Sequence, residues 1–388
     1  MKKSISFAFL TGFFGLVVFT ACTNNNTQAQ KADMTTKEKA VAAKDMVEGT
    51  SKINAKGPKP AWGPDITDEL LAVIEKLQSF NSPPLNTLSA QEARKQPSPT
   101  DAVMALIKEN NVPVPAPKVD TMGKDIAVQG GKIHLRIYSP KAEAGNGPFP
   151  IIVYYHGGGW VIANLDTYDP SAKVLAELTG TVLVSVAYRQ GPEHKFPTAH
   201  NDSYAAYQWA IKNAASIKGN AKQVVVVGES AGGNLAAAVS MMARDKGAML
   251  PIHQVLIYPI AGYDLNTPSY QTYADAKPLN KPLMQWFFDN YLPNKEAGNN
   301  KLISLVNADL KGLPPTTIIG AELDPLQSEG KTLADNLKAA GVDVVYKKFD
   351  GVTHEFFGMG AISPKANEAE MLASGRIKKS FDKSLSQK

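Results

Sequence analysis

The clearest chemistry in this chain lies in Gly228-Glu229-Ser230-Ala231-Gly232, which fits the pattern G-x-S-x-G. The pentapeptide follows a Val-rich run from Gln223 to Val227 and precedes an Ala-rich stretch, so Ser230 falls on a predicted strand-to-helix turn. Such a turn presents the hydroxyl at the edge of a sheet, and flanking glycines remove side chains that would clash there. Ala231 opens the helix, where its N–H can meet negative charge developing on a substrate oxygen. The implied chemistry is nucleophilic attack by Ser230.

A second constellation lies upstream, where the run Pro150 to Tyr155 leads into His156-Gly157-Gly158-Gly159-Trp160. Three consecutive glycines let backbone amides approach a ligand closely, as an oxyanion hole requires. A loop of this kind could also cradle a phosphate, but the Lys-Ser/Thr ending of a P-loop is missing. His156 precedes the loop whose amides would act, and it reads as a structural hydrogen-bonding residue rather than a base.

Both loops need a sheet to hold them. Ile126 to Gln129 and Lys132 to Tyr138 read as a hairpin with a two-glycine turn at Gly130-Gly131. Buried-looking runs follow at 150–155, 181–187, 223–227, 253–257, 316–319 and 344–349, separated by helical segments such as 202–217 and 235–244. Near-continuous Val/Ile strands alternating with helices predict an α/β fold around a mostly parallel sheet of about eight strands, covered on both faces. No internal repeat interrupts the pattern.

The stretches His156-Gly-Gly-Gly-Trp, Asn164-Leu-Asp-Thr-Tyr-Asp, Tyr188-Arg-Gln-Gly-Pro-Glu-His-Lys-Phe-Pro, Gly228-Glu-Ser-Ala-Gly-Gly-Asn and Asp324-Pro-Leu stand in this order along most of the chain beyond Lys118. With them the sequence resembles the α/β-hydrolases, and within these the bacterial hormone-sensitive-lipase-like esterases. The resemblance implies an α/β-hydrolase fold with a helical cap, and amides of Gly157, Gly158 and Ala231 as the oxyanion hole. The family's order of serine, then Asp or Glu, then His implies Asp324 and His354 as partners of Ser230. Glu322, two residues before Asp324, remains a competitor by spacing, and the Asp-Pro-Leu match favours Asp324. His134, His194, His200 and His253 read as structural, as do Arg189, Glu193 and Asp202. Three departures stand out: Glu229 where Asp is commoner, Gln190-Gly191 where Leu-Ala is commoner, and Glu355 where Gly follows the histidine.

The remaining sequence sets the context. Lys2 and Lys3 precede an uncharged run from Ser4 to Ala21, which stops at Cys22, the only cysteine of the 388 residues. Residues 1–21 resemble a bacterial lipoprotein signal, despite Phe19 where Leu is usual, and Cys22 would then carry a lipid anchor. A cleaved secretory signal or an uncleaved anchor is the alternative. The expected location is the periplasmic side or the surface of a bacterium, and Thr23 in place of Asp leans toward the outer membrane. Residues 22–60, rich in Asn, Thr, Gln, Lys and Ala, predict a disordered tether. The resemblance to the esterases further implies that the helices within 61–118 form a cap segment, and that 119–388 is the catalytic domain with a cap insertion at about 261–300. That insertion carries Tyr263, Tyr270, Tyr273, Trp286, Phe287, Phe288 and Tyr291, which could line an acyl pocket or fill the core of the cap. A net charge of +5 without a basic block in the body of the chain gives a nucleic-acid partner little support. One cysteine excludes an internal disulfide and a zinc site of Cys type, and no metal or organic cofactor is implied. The expected activity is a serine carboxylesterase acting on small-molecule esters of short to medium acyl chains. An amidase or peptidase on the same groups and a non-catalytic binding protein are the other readings, and the oligomeric state, monomer or dimer, is open.

Overall fold

The computed structural model describes residues 53–386. The signal at 1–21, Cys22 and the tether up to residue 52 lie outside the described residues. Eight strands form one sheet: β1 Val119–Val128, β2 Gly131–Pro140, β3 Phe149–Tyr155, β4 Val182–Ala187, β5 Gly219–Glu229, β6 Gln254–Ile257, β7 Thr316–Leu323 and β8 Val344–Thr353. Their spatial order is β1-β2-β4-β3-β5-β6-β7-β8. β2 pairs antiparallel with β1 and β4, and all other pairs are parallel.

The period-two geometry of a strand explains why its central runs are apolar throughout. In β3, Ile151, Val153 and Tyr155 enter one core while Ile152 and Tyr154 enter the other; in β5, Val224 and Val226 divide from Val225 and Val227 in the same way. Helices α4 Asp169–Thr179, α5 Thr198–Lys212, α6 Ala231–Asp245, α9 Gln327–Ala339 and α10 Pro364–Ser386 cover the two faces. Residues Ala231 to Ala243 of α6 are all buried, which is why that helix is built from Ala, Gly, Met and Ser rather than from an amphipathic pattern.

The hairpin turn differs from the expectation. Val128 pairs with Gly131, so the two turn residues are Gln129 and Gly130, and Gly131 is the first residue of β2. Gly130 supplies the positive φ of 75° that a two-residue turn demands. Arg189 covers that turn, donating to the carbonyls of Gln129 at 2.8 Å and Gly130 at 3.1 Å.

Before the sheet come α1 Asp68–Ser79, α2 Ala90–Ala93 and α3 Pro99–Glu109. Ser98 caps α3 in a reciprocal box with Asp101, with Pro99 at the first helical position. The segment read as tether also ends earlier than residue 60. Ile53 is buried, and the amides of Lys56 and Gly57 donate to the Glu75 carboxylate of α1 at 2.8 and 2.6 Å, so an apolar anchor and a charged acceptor fix residues 53–57. After β6, the insertion forms α7 Pro268–Thr272 and α8 Lys281–Tyr291, the latter capped by Asn280. Among the described residues no helix is long and apolar enough to cross a membrane, and no group of three or more His, Cys, Asp or Glu could hold a metal ion.

Candidate active site

Ser230 sits between β5 and α6 at φ 56° and ψ −117°, a conformation that L-residues rarely adopt. Its surroundings over-determine that geometry. The Ser230 amide donates to the Ile257 carbonyl at the end of β6, and its own carbonyl accepts from Asn234 and Ile260. Glycine is required at position 232, because a Cβ there would meet the Tyr155 carbonyl oxygen at 1.9 Å. The turn can therefore close only against the bare backbone of the β3 end.

Ser230, Asp324 and His354, each from a different post-strand loop, are buried and meet in one chain of hydrogen bonds. His354 Nδ1 lies 2.7 Å from Asp324 Oδ2, and His354 Nε2 lies 2.9 Å from Ser230 Oγ. Asp324 is held in turn by the Leu326 amide, which donates to Oδ1 at 2.9 Å. A carboxylate accepts from Nδ1–H, which leaves Nε2 as a lone pair able to take the serine proton. Burial disfavours the His354 imidazolium, but the charge and hydrogen bond of Asp324, with Glu355 and Glu229 behind it, outweigh this and raise its pKa above the ordinary 6.5. Glu322 is turned elsewhere: it holds Lys348 at 2.9 Å and accepts from the Gly351 amide at 2.7 Å. Of the two carboxylates left open by spacing, Asp324 is the one in contact with the imidazole.

The glycine loop packs against this group. Gly158 has φ 91°, and a Cβ on it would lie 2.3 Å from the Ile162 carbonyl oxygen, so only glycine fits. Gly158 and Gly159 line the same cavity as Ser230 and His354. His156 stacks on Tyr188 with ring centroids 4.3 Å apart and donates from Nδ1 to the Gly157 carbonyl at 2.9 Å. Burial pulls its pKa down to about 4, consistent with a neutral ring that shapes the loop. His200 is similarly buried between Tyr291 and Asn234, and His253 lies against Thr317. Arg189 pairs with buried Asp202 and Glu193 with Arg94, so these charges tie loops together and touch neither Ser230 nor His354.

Two of the three departures from the family pattern, Glu229 and Glu355, lie close to the imidazole, while Gln190 donates to the Ile162 and Ala163 carbonyls. Glu229 is buried and accepts from the hydroxyls of Tyr154 and Tyr258; burial first, then the nearby Glu355 charge, pushes its pKa up to about 7. Glu355 accepts from the Tyr168 hydroxyl at 2.6 Å and stands 3.8 Å from His354 Nε2. Sequence reasoning assigned no role to Tyr154, Tyr168 or Tyr258. The signal available was the pair of unusual glutamates, since a buried carboxyl such as Glu229 and a half-buried one such as Glu355 call for hydroxyl donors.

A cavity of about 460 Å3 opens above Ser230, His354 and Glu355. Ile74 and Leu77 of α1 and Leu279, Leu283 and Phe287 of the segment after β6 are among the residues that line it. Of the seven insertion aromatics only Phe287 reaches this cavity, while Tyr270, Phe288 and Tyr291 are fully buried in the larger core.

A mostly parallel sheet with a strained serine after its central strand, and an imidazole and a carboxylate on later loops, defines a hydrolase of the α/β-hydrolase fold. The chain belongs to that family: the family profile, described as alpha/beta hydrolase fold, matches residues 152–358. The resemblance to the hormone-sensitive-lipase-like esterases holds as well. The carboxylesterase NlhH of Mycobacterium tuberculosis is 39% identical over 241 residues, covering 61% of this chain and 75% of the relative. An ethyl acetate hydrolase of Pseudomonas putida is 30% identical over 309 residues, covering 78% and 95%. The crystal structure of a thermostable esterase from Pseudomonas putida superimposes with a TM-score of 0.74 at 31% identity, covering 82% of this chain and 98% of that one. A hyperthermophilic esterase from the archaeon Pyrobaculum calidifontis gives 0.71 at 35%, covering 79% and 96%.

Proposed function

We infer that this carboxylic ester hydrolase works by serine acyl transfer, with Ser230 as nucleophile, His354 as general base and acid, and Asp324 fixing the imidazole tautomer. The observation that carries the reading is the unbroken relay of 2.9 and 2.7 Å from Ser230 Oγ through His354 to Asp324. His354 takes the serine proton as Oγ attacks the ester carbonyl, then returns it to the departing alcohol. The amides of Gly157, Gly158 and Ala231 receive the oxyanion, each donor contributing about 3 kcal/mol to the transition state. No step calls for a metal or an organic cofactor.

The substrates are small-molecule esters of short to medium acyl chains. A cavity of about 460 Å3, in whose mixed polar and apolar lining Ile74, Leu77, Leu279 and Leu283 offer an aliphatic patch, supports this range, as does the ethyl acetate hydrolase among the relatives. Ser230→Ala should abolish turnover of 4-nitrophenyl acetate while the melting temperature holds. In the unaltered enzyme, activity should fall as the acyl chain lengthens. Near-normal turnover by Ser230→Ala, or a preference for emulsified long-chain fat, would overturn the corresponding half of the reading.

We also propose that residues 53–386 are carried at a bacterial membrane, on its periplasmic or outer side, by a lipid on Cys22. The basic pair, apolar run and cysteine of residues 2–22 support this, and an unlipidated Cys22 in protein taken from its native membrane would refute it.

A further inference from the structure

Glu355 occupies the position after the histidine where the family commonly carries glycine, and its backbone lies at φ 69°. Glycine takes that conformation freely, whereas a residue with a Cβ is held there against its preference. The side chain so placed lines the cavity beside Ser230 and His354. Oε1 is fixed by the Tyr168 hydroxyl at 2.6 Å, and Oε2 has no protein donor among the described residues. The distance from Oε1 to His354 Nε2 is 3.8 Å, on the nitrogen that also meets Ser230 Oγ at 2.9 Å.

We propose that Glu355 holds the water that hydrolyses the acyl-enzyme, an inference that rests on the serine reading above. Once Ser230 is acylated, its oxygen has no proton to offer Nε2, and the base must draw one from water. A water bound to Nε2 through one hydrogen points a lone pair at the acyl carbon only if its other hydrogen is also fixed. A carboxylate oxygen 3.8 Å from Nε2 is too far for a direct hydrogen bond, yet near enough for one water to bridge the two. The step balances without further reagents. The water oxygen bonds to the acyl carbon and its proton passes to Nε2. The bond from that carbon to Ser230 Oγ then breaks, Oγ takes the proton from Nε2, and the carboxylic acid departs. Glu355 accepts a hydrogen bond throughout and gains no net proton.

At a pH well above the acid limb of His354, where loss of the Glu355 charge leaves the imidazole neutral as before, only deacylation is affected, so Glu355→Gln should lower kcat and KM for 4-nitrophenyl acetate together, by about tenfold, while kcat/KM stays within about twofold. Mass spectrometry of the quenched reaction should find the acetyl group on Ser230 in a larger fraction of the variant than of the unaltered enzyme. Glu355→Gly relieves the backbone strain and guards against a folding defect, so it should show the same split. A fall in kcat at constant KM, or no change in either variant, would overturn the inference while leaving the serine mechanism standing. In Ser230→Ala neither the burst of nitrophenol nor the acetyl adduct should form. Their persistence there would overturn the serine mechanism and this inference with it.

Discussion

His354 decides the pH dependence, because only its neutral form can take the serine proton. Burial alone would lower its pKa, and the opposing charge and hydrogen bond of Asp324, then the charges of Glu355 and Glu229, carry it above 6.5. The sign follows directly: activity is lost as pH falls through this raised value, so the acid limb of kcat/KM should have its midpoint above 6.5. Asp324→Asn removes the largest group raising that pKa and also withdraws the carboxylate that holds Nδ1–H. The acid limb should move to lower pH and kcat should fall about 10⁴-fold, the scale of a lost tautomer. A pH–rate profile of this variant checks both, and an unmoved limb would mean that Asp324 does not set the charge on His354.

At the scale of elements, the C-terminal helix α10 carries a carboxyl that the mechanism does not use. Glu370 is buried beneath the loop that follows His354 and accepts from the Gly360 amide at 3.2 Å. Burial pushes its pKa from 4.5 up to about 8. In the unfolded chain the group ionises near 4.5, so between there and 8 the folded state binds the extra proton and stability falls as pH rises. Glu370→Gln keeps an oxygen for the Gly360 amide and removes the titration. It should match the parent near pH 5 and be more stable at pH 8 by on the order of a few kcal/mol, seen as a melting temperature a few degrees higher. This helix was not legible in the sequence, nor were α4 and α9. Their buried faces are built largely from small or polar residues, such as Ala366, Ala369 and Ala373 in α10 and Ser171, Ala172 and Ala176 in α4, which give little hydrophobic periodicity. The seven residues of β1 before Ile126 were missed for a related reason: at the sheet edge, Asp120 to Asp125 are exposed throughout and show no alternation. The central strands were legible because both their faces are buried, and Ser230, Asp324 and His354 because motif and chain order survive without any knowledge of packing. The tyrosines that hold Glu229 and Glu355 were not, since only the fold brings Tyr154, Tyr168 and Tyr258 together.

At the scale of the whole chain, the segment before β1 is more than a lid. Leu70, Leu71, Val73 and Ile74 of α1 share one core with Leu323, next to Asp324, and with Val352 and Phe356, which flank His354. The Thr67 amide also donates to the Gly351 carbonyl at 2.9 Å, pinning the start of the histidine loop. Four buried aliphatic side chains contribute about 1.5–3 kcal/mol each, which together rivals the ~5–15 kcal/mol net stability of a typical domain. Two truncations should therefore behave differently. A chain begun at Thr50 keeps the whole of this core and should retain both its melting temperature and its kcat/KM on 4-nitrophenyl acetate. A chain begun at Val119 exposes Leu323, Val352 and Phe356 and loses the brace on both loops, so it should show no cooperative melt and no esterase activity. If the shorter chain instead melted cooperatively and lost only its preference among acyl lengths, the segment would act solely as a wall of the cavity, and the loops bearing Asp324 and His354 would be held by the sheet alone.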